Sequence, residues 1–421
     1  MRRPVLGLAS LVCLVSCGRP ASLDPRHQVV FLYPIEDNRP MIEGLVSKFE
    51  ASHRDIHIEI RAVPGNQYEA KIKTLVAAGE PPDVFECGDV TFPYLRPFVA
   101  DLSVLAVRDK KEIDFEDYFP EIRTAFTIEG QIYFLPETFN VSLLYYNKAL
   151  FREAHEPFPT ANWSWDDYAA AATRLTRRAS NHEVTVWGST VTTGWWGEWL
   201  TLVHGAGGEF FNKDVTRCEL DTPQAVQGLT FYRDTILKYG FAPAPGEGPS
   251  TGFRSDQVAM EFGGHTGEWK SYGQLPDLSW DIEALPKGPS GRRGGEISLE
   301  GLGVSKKSKE LESAWQFVKF MSSKSSIKSY VAFGYPAVRR SIAAMPFYAD
   351  QPPLNKKALA VAMDSAEPVP VSPDFMEIAL DLVQPEIDRM LTDGESPQAT
   401  AVRATEAANA FLKATTPDRP Q

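Results

Sequence analysis

Between Val29 and Glu86 the hydrophobic period changes repeatedly, and this alternation limits the possible fold more than any other feature of the chain. Residues 29–33 form an unbroken apolar run ending at Pro34, as expected of a buried strand. Ile42, Leu45, Val46 and Phe49 then recur at helical spacing over 41–52, and Ile56, Ile58 and Ile60 alternate with His57, Glu59 and Arg61. A second helical stretch over 68–78 turns Ile72, Leu75 and Val76 inward, Pro81-Pro82 stops it, and 83–86 begins a third strand. Strand, helix, strand, helix, strand predicts a parallel α/β sheet, because parallel neighbours need a crossover that lays a helix on the sheet face.

The alternation continues. Residues 131–135 and 141–146 read as two strand pieces interrupted by Pro136-Glu137-Thr138. Ser164 with Asp167 opens a helix with a capping signature, and Thr222-Pro223 opens another. Residues 257–262 are a short strand ending at Gly263-Gly264. Leu311, Ala314, Trp315, Val318 and Met321 form a helical stripe, and Ser396-Pro397 precedes a last helix over 398–413. At 421 residues the chain exceeds what one core holds, so two domains are expected. The loop 287–295 is rich in Gly and Arg but lacks phosphate-loop spacing.

The formal charge is −12, and loss of residues 1–17 would take Arg2 and Arg3 and no acid, giving −14. That balance disfavours nucleic acid and anionic lipid as partners. No cysteine pair has zinc-ligand spacing and the seven histidines form no HExxH, so neither a metal nor another cofactor is expected. At the N-terminus, Arg2 and Arg3 precede an apolar run over 5–15, too short to span a bilayer and of the size of a secretory segment. Leu14-Val15-Ser16-Cys17 resembles the bacterial lipobox, which implies that Cys17 is lipidated and 18–27 serves as a tether. Lipidation would then be the chain's only membrane attachment, outside the cytoplasm. Cys13 would leave with the leader, and Cys87 and Cys218 are expected as separate buried thiols.

A series of ordered signposts resembles the carbohydrate-type extracellular solute-binding proteins of bacterial ABC importers, the group that includes maltose-binding protein. They are Met41-Ile42-Glu43-Gly44-Leu45, Ala77-Ala78-Gly79-Glu80-Pro81-Pro82-Asp83-Val84 and Gly130-Gln131-Ile132-Tyr133-Phe134-Leu135-Pro136. Leu144-Tyr145-Tyr146-Asn147-Lys148-Ala149-Leu150-Phe151, Trp163-Ser164-Trp165-Asp166-Asp167-Tyr168 and Val258-Ala259-Met260-Glu261-Phe262-Gly263-Gly264 follow, and Gly303-Val304-Ser305 leads into the 311–321 helix. The resemblance implies two α/β lobes with a ligand cleft between them, linked by chain crossings near 137–140 and 299–301. Lobe one would be 28–138 with 300–335, and lobe two 139–299 with 336–421. A monomer that hands a sugar or oligosaccharide to an ABC permease, with no enzymatic activity, is the implied function.

Ligands of parallel α/β lobes bind beyond the C-terminal ends of strands. That rule selects Glu36, Asp37, Glu86 and Gly88, with Glu137 and Asn140 at the first crossing and Glu300 at the second. In lobe two it selects Trp195, Trp196, Gly263, Gly264, His265 and Trp269. Indole rings cover the apolar face of a pyranose while carboxylates and amides bind its hydroxyl rim. Two glycines would let backbone amides approach closely. The same aromatic and acidic set would also suit a cation such as a polyamine, and a glycoside hydrolase would present paired carboxylates. Trp163, Trp165 and Trp315 are assigned to packing, and Asp83 to orienting its strand.

Overall fold

The apolar run at 29–33 lies inside strand β1 (His27–Ile35), in a computed structural model that describes residues 26–415 except 36, 37, 89, 90, 192–194, 250, 251 and 371. Pro34 is accommodated within β1 because the short β3 (Val84–Glu86) pairs only with Phe31 and Leu32, so that side of the ladder has ended before the missing N–H is reached. β2 (Ile56–Pro64) runs parallel on the other side, from His27 opposite Ile56 to Ile35 opposite Pro64. Helices α1 (Arg39–Ser52) and α2 (Gly65–Ala77) supply the crossovers, and α1 buries the four residues its period selects, Ile42, Leu45, Val46 and Phe49. Asp83, expected to orient its own strand, reaches the neighbouring one, its carboxylate accepting from Val30 N–H of β1 at 2.8 Å.

The two strand pieces expected on either side of Pro136-Glu137-Thr138 are one continuous strand, β4 (Phe134–Asn147). β4 pairs antiparallel with β5 (Met260–His265) and β6 (Trp280–Glu283) along its second half, and with β7 (Glu296–Val304) along its first. β7 also pairs with β3 through Leu302, Gly303 and Val304. The described residues thus form a nine-stranded mixed sheet, ordered β2-β1-β3-β7-β4-β5 and then Thr190–Val191, with β6 on β4 and Glu367–Pro368 on β7. Proline does not break β4 because the register slips there: Thr138 faces Glu300 and Pro136 faces Gly301, leaving Glu137 opposite no residue.

Two apolar clusters cover this sheet, and β4 feeds both by its pleat: Leu143 and Tyr145 enter the first, Leu144 and Tyr146 the second. The second is roofed by α3 (Trp165–Leu175), α4 (Trp196–Gly205) and α5 (Pro223–Leu237). Both sequence caps are present. Ser164 and Asp167 form a reciprocal capping box, and Thr222 Oγ1 accepts from Ala225 N–H. The fold is two-lobed α/β, and β4 and β7 belong to both halves. Beyond residue 335, Arg339 is buried with its guanidinium on the carbonyls of Ile113 (3.0 Å) and Ser322 (2.7 Å), whereas Asn355 N–H donates to Asp281 on β6 at 2.9 Å. Cys87 and Cys218 are buried free thiols, one in each cluster. Cys17 lies outside the described residues.

Candidate functional site

A cavity of about 620 Å³ opens beside the paired strands β4 and β7 at their register slip. Tyr33, Asn38, Tyr68, Glu86, Thr91 and Tyr94 approach it from β1–β3 and their loops, with Tyr330, Gly334 and Tyr335 beside them. His265, Gly267, Glu268, Lys270 and Ser271 approach from β5 and helix α6 (Glu268–Gly273), and Met376 from the C-terminal segment. The crossing strands themselves contribute Glu137, Thr138, Asn140 and Glu300.

The register slip explains why Glu137 is there: a bulge turns the extra residue out of the ladder and re-aims its side chain. Glu137 is only 3% exposed, and its carboxyl accepts from Tyr330 Oη at 2.6 Å. Burial pushes its pKa up to about 8, the Tyr330 hydrogen bond opposes this and neighbouring Glu300 reinforces it, so Glu137 carries a proton at neutral pH. Glu300 accepts from Asn140 Nδ2 at 2.7 Å. Asn38 Nδ2 donates to Tyr33 Oη (2.9 Å) and Tyr335 Oη (3.2 Å), tying two rings together across the chain. The Thr138 hydroxyl is buried in the cavity wall without a protein partner. Donors, acceptors and flat phenol faces therefore surround one space, an arrangement suited to a small polyhydroxylated molecule. Among the described residues no group of three or more His, Cys, Asp or Glu has metal-binding geometry.

Of the residues selected from sequence, Glu86, Glu137, Asn140, His265 and Glu300 are brought together here. Glu36 and Asp37 lie outside the described residues. The others do not line the cavity, and each has a packing reason. Gly88 is present because a Cβ there would lie 2.0 Å from the Leu299 carbonyl oxygen, so it permits β3 to close on β7. Gly264 is pressed against the Tyr145 ring, while Gly263 takes a left-handed φ of 80° at a second register slip, where β5 continues past the end expected for it. Trp196 is buried against Phe375 with ring centres 4.8 Å apart, and Trp269 is buried beneath the Lys356 ammonium. Trp195 stands one layer back, edge-on to His265 at 4.3 Å, while His265 Nε2 meets Glu296 Oε1 at 2.5 Å. Aromatic surface comes from tyrosines instead of tryptophans. Tyr33 was within reach of the strand-end rule, since it is the last residue before Pro34. Tyr330 and Tyr335 flank Gly334, the left-handed residue that ends helix α7 (Lys324–Phe333).

The family model for bacterial extracellular solute-binding proteins matches residues 35–328. The chain belongs to that family. This solute-binding protein is accordingly an extracytoplasmic binding protein and not an enzyme, which sets the hydrolase alternative aside. It is 25% identical to a binding protein of Brucella abortus over 89% of this chain and 90% of the relative. A substrate-binding protein of Listeria monocytogenes solved with cycloalternan superposes with a TM-score of 0.81 at 26% identity, over 92% of this chain and 99% of the other. The maltose-bound MalE3 of Thermotoga maritima superposes at 0.75 with 19% identity, over 91% and 99%. Among the described residues of this solute-binding protein, no helix is long and apolar enough to cross a membrane.

Proposed function

We propose that this protein captures a sugar or oligosaccharide in the cleft between its lobes and delivers it to the permease of an ABC importer, while Cys17, lipidated, tethers it to a membrane. The observation that carries the reading is the cavity at the β4–β7 crossing, with Glu137, Asn140, Glu300 and the Thr138 hydroxyl set against tyrosine rings. Similar proteins named for cycloalternan, maltose and mannitol support it. Lobe one would comprise 28–138 and 300–343 and lobe two 139–299 and 355–421, with 344–354 as the third passage; Arg339 and Asn355 anchor its two ends. A ligand touching both lobes collects all its contacts only when they close, so binding selects the closed form. A thermal-shift screen of mono- and oligosaccharides tests the reading, since stabilisation follows occupancy. Stabilisation by at least one sugar, lost in Glu300→Ala, is expected; a flat response across the panel would refute it.

A cationic ligand is the second reading. Four carboxyl groups line the cavity (Glu86, Glu137, Glu268 and Glu300) with Lys270 as the one lining cation among the described residues. Polyamines in the same screen decide between them: stabilisation by amines that falls steeply with added salt would favour this second reading.

A further inference from the structure

A second cavity of about 550 Å³ lies on the far side of α6 from the first. Its walls are Phe253, Arg254, Glu261 and Tyr272, closed by the Pro- and Gly-rich stretch that contains Ala244. One residue, Glu268 at the start of α6, lines both cavities among the described residues. Its carboxylate is held by Arg254 at 3.0 Å, and Arg254 in turn rests 5.6 Å from the centre of the Tyr272 ring. Tyr272 Oη donates to Glu261 at 2.5 Å, and the Phe253 and Tyr272 rings are 5.0 Å apart.

We infer that this second cavity, walled entirely by residues of the proposed lobe two, is a side compartment that a sugar chain bound in the cleft enters past Glu268, and that the Arg254–Glu268 pair divides the two and sets the length of chain the protein takes. The inference rests on the sugar-binding reading and extends it to substrate length. Three features carry it. The second wall repeats the chemistry of the first: aromatic surface from Phe253 and Tyr272, acceptors from Glu261 and Glu268, and donors from Arg254. The dividing carboxylate is solvent-accessible, with the Glu268 side chain 37% and Arg254 46% exposed, so both can swing aside without leaving a buried charge unpaired. Each compartment alone falls within the ~300–1,000 Å³ typical of a small-molecule site, so a ligand filling both is longer than one that satisfies either.

The test is calorimetric titration with two ladders, maltose to maltohexaose and arabinobiose to arabinohexaose, on the whole chain and on Ala244→Trp and Arg254→Ala. Ala244 is a half-buried loop residue whose enlargement fills the second cavity without touching the first. In the unaltered protein, affinity within the binding ladder is expected to rise about tenfold or more from the shortest to the longest member, equivalent to ~1.4 kcal/mol or more. Ala244→Trp should abolish that rise and leave the shortest member's affinity unchanged, and Arg254→Ala, a surface change, should reduce it. Equal affinity for short and long members, or a rise that survives Ala244→Trp, would overturn this inference and leave the sugar reading standing. No binding by any member of either ladder would overturn this inference, and if the broader screen also gives no response the sugar reading falls with it.

Discussion

Glu137 is protonated because its surroundings solvate a neutral carboxyl better than a carboxylate, and this has a consequence for stability. In the unfolded chain the same group ionises near its ordinary value of 4.5, so between that pH and about 8 the folded state holds one more proton than the unfolded state. Stability contributed at this site therefore falls as pH rises through that window. Glu137→Gln keeps an acceptor for Tyr330 and cannot ionise. Its unfolding free energy from urea curves should exceed that of the unaltered protein at pH 9, by up to about a few kcal/mol, and match it at pH 4.5. His204, inside α4, works in the opposite direction: burial depresses its pKa to about 4, so the unfolded state binds the extra proton between about 6.5 and 4. His204→Gln should lose less stability than the unaltered protein on acidification from pH 7 to 4.5, a difference that denaturant curves at the two values would read.

At the scale of elements, the interface of β3 with β7 depends on the absence of a side chain at Gly88. Gly88→Ala should destabilise the fold by roughly 1–3 kcal/mol, since the contact is with main chain that cannot step aside, as a shift in melting temperature would show. Ser164→Ala should cost about 1 kcal/mol through the lost helix cap. The cap was legible in the sequence because a capping box is local, and so was α1, whose buried residues follow from period alone. The continuity of β4 through Pro136 was not legible, because what permits it is a register slip against β7, some 160 residues further on. The strand-end rule, which is topological, selects Glu86, Glu137 and Glu300, and all three line the cavity. Trp195, Trp196 and Trp269 do not line it: tryptophan serves core and cleft equally well, and the surrounding sequence does not say which face a ring takes. Tyr330 and Tyr335 were missed because they reach the cavity from a helix end, outside the rule used.

For the whole molecule, Gly334 of the proposed lobe one lies against Lys270 of the proposed lobe two: an added Cβ would lie 3.0 Å from the Lys270 Cα and 2.8 Å from its Cβ, and the Lys270 ammonium sits 3.9 Å from the centre of the Phe333 ring. Gly334 has a φ of 116°, so a side chain is disfavoured there by conformation and by contact. Gly334→Val should hold the lobes apart: X-ray scattering is expected to give a larger radius of gyration with saturating sugar than for the unaltered protein, and apparent affinity should fall because the closed form is rarer. The bulge that carries Glu137 adds one more consequence. On the proposed division β4 and β7 are two of the three passages between the lobes, so an opening that turns about them would leave Glu137 and Glu300 near the axis and carry Tyr94, Lys270 and Met376 further. A guest would dock first on the pivot and draw in the rim afterwards. Rapid-mixing kinetics should accordingly show Glu300→Ala slowing or weakening the initial, concentration-dependent step, and Met376→Ala altering only the slower one that follows.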